Sequence, residues 1–128
     1  MSESVLIIES ELWLGDQYQH ILEQQGFSVT RASHAYTAID MIDSAPPAVI
    51  VMSLLLNGPG ALGLLHELQS YVDTAAIPVI VCTSLPDMRI DELEQYGVKA
   101  LLDSTTMKPD DLPASVRSVL HSIEVVKE

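Results

Sequence analysis

Five residues, Ala48 to Met52, run apolar without a polar break, and three of them (Val49, Ile50, Val51) are β-branched. Pro46-Pro47 stands before the run and Asn57-Gly58-Pro59-Gly60 after it. A short β-branched run bounded by breakers reads as a strand covered on both faces. Such strands belong to parallel sheets packed between helices. The run exits through Ser53. In open α/β sheets ligands collect outside that carboxyl end of the strands, so Ser53 is the first candidate site residue.

The rest of the chain repeats the pattern. Val5–Ile8 is a second β-branched run, and it ends in Glu9-Ser10-Glu11. Leu14, Tyr18, Ile21 and Leu22 then recur at helical spacing, and Gly26 closes that helix. Phe27–Thr30 alternates as an edge strand does. Ala35, Ala38, Ile39 and Ile42 stripe a second helix. Beyond Gly60, Ala61, Leu64, Leu65, Leu68 and Val72 stripe a third. Pro78–Cys82 repeats the profile of the central strand and leaves through Thr83-Ser84. A helix over Asp87–Tyr96 buries Ile90 and Leu93 and stops at Gly97, and Lys99–Leu102 is a fifth strand. Leu112, Val116, Val119, Leu120 and Ile123 stripe the last helix, with Asp110 or Asp111 as N-cap and Pro113 tolerated in its first turn. Strands alternating with helices predict a single doubly wound (βα)5 domain over residues 1–128, α/β in class, of flavodoxin-like strand order 2-1-3-4-5. In that order Glu9, Ser10 and Ser53 converge at one edge, with Thr83 beside them.

Composition narrows the function. The 18 acidic residues outnumber 6 basic ones, for a net charge of −12. Nucleic-acid binding depends on Lys and Arg displacing counterions, so no nucleic acid is expected as a partner. The single cysteine, Cys82, allows no intrachain disulfide, which fits a reducing cytoplasm. No apolar run approaches membrane-span length, and Met1–Ile8 lacks the basic start of a secretory signal. A cytoplasmic protein is expected. GxGxxG is absent, and the glycines of NGPGALG follow the third strand, where they make a weak phosphate-loop match.

In this order of elements the chain resembles the receiver domains of bacterial response regulators, the CheY-like family. VLIIESE resembles the family's first strand and acidic pair, and PPAVIVMSLLL its phospho-acceptor strand. IPVIVCTS resembles the fourth strand with its switch hydroxyl, and YGVKALLDS the fifth. The resemblance implies an aspartate that accepts a phosphoryl group, an acidic pair that helps hold Mg²⁺, a switch Thr or Ser, a lysine and a mobile aromatic. Carried over, the acceptor position is Ser53 and the acidic pair is Glu9 and Ser10. The switch hydroxyl is Thr83, the lysine position is Ser104 and the aromatic is Leu101. Lys108-Pro109 resembles the family's Lys-Pro four residues late, and Asn57 stands where the family has proline.

The departures bear on chemistry. A serine hydroxyl is a weak nucleophile without an adjacent base, and acyl-phosphate formation needs a carboxylate. His20 and His66 lie mid-helix, and His34 and His121 near surface segments, so none is placed as that base. One carboxylate with two hydroxyls holds Mg²⁺ poorly, because the ion dehydrates reluctantly. No cofactor is expected, and Glu9 is at most a weak ligand. The chain is therefore expected to be no enzyme but a degenerate receiver of two-component signalling. Its partner would be a histidine kinase, an output domain or another signalling protein, with a homodimer as a further arrangement. The resemblance puts the contact face on the fourth helix around Met88–Glu92, Leu101 and the last helix. Two other readings stand beside this one. Glu9, Ser10, Ser53 and Thr83 would bind a small polar ligand, or Ser53 would itself be phosphorylated. Plainer roles are a strand-end polar residue for Ser53 and Thr83, a solvated or hydrogen-bonded carboxylate for Glu9, a core thiol for Cys82 and a partly packed Trp13.

Overall fold

A computed structural model of the protein describes residues 3–56, 60–85 and 88–127, the last five as backbone alone. The elements in chain order are β1 (Ser4–Ile8), α1 (Leu12–Gln24), β2 (Ser28–Ala32), α2 (Ala35–Ser44), β3 (Val49–Ser53), α3 (Ala61–Gln69) and α4 (Val72–Ala75). They continue with β4 (Val79–Thr83), α5 (Ile90–Leu93), a 3₁₀ turn (Glu94–Tyr96), β5 (Val98–Asp103) and α6 (Asp111–Lys127). All four strand pairings are parallel, and the order is β2-β1-β3-β4-β5. The expected α/β architecture is the observed one.

Strand parity divides the core. Leu6, Ile8, Ile50, Met52, Val79 and Val81 face α2, α3 and α5 and pack with Ala38, Ile42, Leu65 and Leu93. Val5, Ile7, Val49, Val51, Ile80 and Cys82 face α1 and α6 and pack with Tyr18, Leu22, Leu112 and Val116. Successive side chains on a strand point to opposite faces, so a strand apolar at every position serves two cores at once. β2 and β5 are the edges, and only Ala32 of the five residues of β2 is fully buried.

Several boundaries differ from the sequence-based expectation. Val72 is not on the stripe of α3; it is 91% exposed in the separate α4. The hydroxyls between the two helices account for the break. Ser70 Oγ donates to His66 O at 2.9 Å and Thr74 Oγ1 to Leu68 O at 2.6 Å, so two of the last carbonyls of α3 accept from side chains. The helix expected over Asp87–Tyr96 shrinks to one α turn and a 3₁₀ turn, with Leu93 buried and Ile90 half-buried. Its expected start, Asp87, lies outside the described residues, as do Asn57 and the side chain of Ile123. Gly97 ends the segment at φ 83°, the left-handed region that favours glycine, and Gly26 ends the α1 segment likewise at φ 93°. The final helix begins as expected. The Ala114 N–H donates to Asp110 O, placing Asp110 at the cap, and Pro113 falls in the first turn.

Candidate functional site at the strand exits

All five strands are parallel, so they exit at one edge of the sheet. There an open cleft of about 1100 Å³ is lined by Glu9, Ser10, Ser53, Thr83 and Ser104, among others. Every polar position singled out at the strand exits is therefore brought together. The pairings Ser53↔Cys82 and Thr83↔Asp103 hold the exits of β3, β4 and β5 side by side. The Ser104 N–H adds a bond to Thr83 O at 2.9 Å. Leu101 is half-buried against the core side of α2, α3 and α5 and is outside the cleft lining. Lys108 is exposed on the turn before α6, and its N–H donates to Asp111 Oδ2 at 2.8 Å. Of this segment, Ser104 and not Lys108 lines the cleft.

The exits share one local device. The Glu11 N–H donates to Glu9 Oε2 at 3.2 Å, the Leu55 N–H to Ser53 Oγ at 3.1 Å and the Leu85 N–H to Thr83 Oγ1 at 3.1 Å. At the end of β5, the Thr105 N–H donates to Asp103 Oδ1 at 2.9 Å. In each case a side-chain oxygen accepts from the backbone two residues on, which closes a tight turn as the chain leaves the sheet. Ser10 Oγ donates to Ser33 O at 2.6 Å and so ties the exit of β1 to that of β2. These residues are thus structural as well as central to the cleft. Asp103 was not anticipated, although an Asp straight after an apolar run is a turn signal.

The electrostatics are one-sided. Glu9 is 4% exposed, beside Ser53 and Thr83 at 8% and 5%. Burial pushes the Glu9 carboxyl above its ordinary value; the Glu11 N–H opposes this and the Glu11 charge adds to it. Neither ion pair found among the described residues, Arg31–Asp16 and Arg89–Asp91, involves Glu9. Asp103, by contrast, is held low by the hydroxyl and N–H of Thr105. No Lys, Arg or His lines the cleft among the described residues, and the four histidines are exposed elsewhere. No three His, Cys, Asp or Glu side chains gather into a cation-binding group among those residues.

Cys82 is the core thiol expected, but its contact with Tyr18 escaped the sequence reading. Tyr18 comes up from α1 beneath the cleft, and its buried Oη has no hydrogen-bond partner among the described residues. Its neighbour is the Cys82 thiol, close enough for each to affect the other's protonation but without normal hydrogen-bond geometry. Burial pushes the Tyr18 hydroxyl up, and it pushes the Cys82 thiol up to about 12, so Cys82 is an inert core thiol at neutral pH. No local pattern marks this pair, because the contact joins α1 to β4. Trp13, expected to be partly packed, is 60% exposed at the cleft mouth. Its Nε1–H donates to Glu11 Oε2 at 2.7 Å. With Leu12 at 66% and Leu55 at 57%, it makes an apolar rim above a polar floor.

No family model matches the sequence. The phosphate regulon transcriptional regulatory protein PhoB of Klebsiella pneumoniae is 25% identical over 126 residues, 96% of this chain and 54% of PhoB. The chain thus spans about half the length of the curated relatives it matches. Among solved structures, a CheY-like response regulator receiver domain protein from Methanospirillum hungatei superposes with a TM-score of 0.86. It is 18% identical, and the match covers 97% of this chain and 98% of that one. The signal receiver domain of a signal transduction histidine kinase from Syntrophus aciditrophicus gives 0.84 at 23% identity, covering 95% and 92%. The fold is the CheY-like receiver fold, and the sequence is similar to that of the transcriptional regulatory protein PhoB along almost its full length. Among the described residues no helix is long and apolar enough to cross a membrane.

Proposed function

We propose that the chain is a pseudo-receiver, a module of two-component signalling that works by binding a protein partner rather than by accepting a phosphoryl group. One observation carries the reading. The strand-exit cleft gathers Glu9, Ser10, Ser53, Thr83 and Ser104 with Glu11 at its side, and among the described residues no Lys, Arg or His lines it and no carboxylate stands at the Ser10 or Ser53 positions. That donor set fits Mg²⁺ poorly, since the ion needs concentrated negative charge to replace its water; Glu9 already accepts from the Glu11 N–H and Glu11 from the Trp13 Nε1–H. A phosphoryl group on Ser53 would find neither a metal nor a lysine to neutralise it. Attack by the Ser53 hydroxyl would also need a base hydrogen-bonded to it, and its Oγ is instead engaged with the Leu55 backbone.

On this reading the protein has no enzymatic activity of its own, needs no cofactor and works in the cytoplasm. A histidine kinase, an output domain or another signalling protein contacts the face of α5, β5 and α6, or that face pairs with a second copy. The charge of −12 argues against nucleic acid as a direct partner. Trp13 emission at the cleft mouth supplies the test. The expected result is no saturable response to Mg²⁺ with beryllofluoride and no mass gain after acetyl phosphate. A saturable response, or a stable adduct on Ser53, would overturn the reading.

A further inference from the structure

The cleft combines a buried carboxylate with an exposed apolar mouth, and the two constrain what can cover it. Leu12, Trp13 and Leu55, each more than half exposed, stand around an opening whose floor holds Glu9. An apolar surface seated on that rim would strip the remaining water from Glu9. An unpaired carboxylate moved out of water is strongly disfavoured unless a partner charge or hydrogen bonds replace the lost solvent. An acidic partner would add repulsion from Glu9 and Glu11. The protein has no internal remedy among its described residues. Arg31, beside the first turn of α1, is held by Asp16 and by Leu12 O at 3.1 Å. At about 1100 Å³ the cleft lies at the upper end of the few hundred to roughly 1,000 Å³ of ordinary small-ligand sites, with room for a short peptide segment.

We propose that this cleft receives a Lys or Arg side chain from a basic, apolar segment of a protein partner, the cation against Glu9 and the segment's apolar residues on Leu12, Trp13 and Leu55. The inference rests on the pseudo-receiver reading, in that it needs a cleft free of Mg²⁺ and phosphoryl chemistry. It adds a docking surface separate from the α5–β5–α6 face. The Trp13 ring, held by its bond to Glu11, gives the incoming cation an aromatic wall as well as a carboxylate.

The test uses the full chain and three fluorescein-labelled 12-residue peptides, alternating Leu with Lys, Leu with Gln and Leu with Glu, read by fluorescence anisotropy. The Lys peptide is expected to bind saturably at one per chain, the Gln peptide about tenfold more weakly and the Glu peptide not at all. Glu9→Gln should weaken the Lys peptide about thirtyfold. Trp13→Ala should weaken it roughly fivefold. Tyr36→Ala, an exposed aromatic outside the cleft lining, should leave it unchanged. Non-specific attraction to an acidic surface would scarcely notice the loss of one charge, so an unchanged Glu9→Gln affinity overturns the proposal. Equal binding of the Gln peptide, or no binding of any peptide, also overturns it. Competition by N-acetyl-lysine methylamide at matching affinity would replace the docking surface with a small-cation site. A Mg²⁺ and beryllofluoride titration run in parallel separates the two levels. Saturation there sinks the pseudo-receiver reading, whereas silence there with no peptide binding sinks only the docking site.

Discussion

The two faces of the sheet bury their side chains almost equally, yet they differ in kind. The face toward α2, α3 and α5 is apolar throughout, from Leu6 to Val98. The face toward α1 and α6 is apolar too, but at its exit end it encloses Tyr18 Oη and Cys82 beside Glu9. A dry interior with every polar atom satisfied is what packing alone would select. The departure from that rule sits where the second face runs into the cleft, and it marks the part of the molecule that packing did not optimise.

The comparison can be broken most directly on the apolar face. Leu65 is fully buried there, so Leu65→Ala should lose about 3 kcal/mol in urea denaturation. A loss below about 1 kcal/mol would mean that this face is loosely packed and that the contrast fails. On the other face the sign should reverse. Tyr18→Phe removes a hydroxyl with no partner and should leave stability unchanged or raise it by about 1 kcal/mol. A clear loss would reveal a bond to that hydroxyl and make the two faces alike.

Glu9 sharpens the contrast through pH. Its carboxyl titrates above the ordinary 4.5 because burial favours the neutral form. A group with a raised folded value contributes stability that is complete below its unfolded value and is lost as the pH climbs through the folded one. Glu9→Gln mimics the neutral form and keeps an oxygen for the Glu11 N–H. Its melting temperature should exceed the parent's by about 2 °C at neutral pH, and the gap should close near about pH 3.5. A gap independent of pH would assign the effect to packing. The smallest expected change is at the exit of β3. Ser53→Ala drops the bond from the Leu55 N–H and should lose about 0.5–1 kcal/mol. Ser53→Asp can still accept that bond but places a second buried carboxylate beside Glu9, so it should lose more than Ser53→Ala at neutral pH. Combined with Ser10→Asp it should bring measurable Mg²⁺ binding by calorimetry, since it restores charge where the cleft lacks it.

Much of this was legible in the residues. The β-branched runs at Val5–Ile8, Ala48–Met52 and Pro78–Cys82 located three strands to within a residue. Strand order then followed from the alternation with helices, and the exit positions Glu9, Ser10, Ser53 and Thr83 followed from strand order, whereas Ser104 came from the family resemblance. What sequence could not supply was contact across elements. The stripe position of Tyr18 told that it is buried but not that its hydroxyl meets Cys82. Trp13 read as partly packed because an aromatic near a helix start normally finds a neighbour, and here its neighbours are the cleft and solvent. Val72 continued an apolar period that Ser70 and Thr74 interrupt by hydrogen-bonding backbone carbonyls, a competition that periodicity does not register.

The self-closed turns at the strand exits carry a last consequence. Because Glu9, Ser53, Thr83 and Asp103 each hold the backbone two residues on, the ends of these strands are shaped without help from whatever fills the loops beyond. Loop sequence is thereby uncoupled from folding. Rim residues such as Leu12 and Leu55 are free to drift or be replaced while the frame stays put. A scaffold of this kind can lose one chemistry and take up another in few substitutions, and each intermediate along that route remains a folded protein.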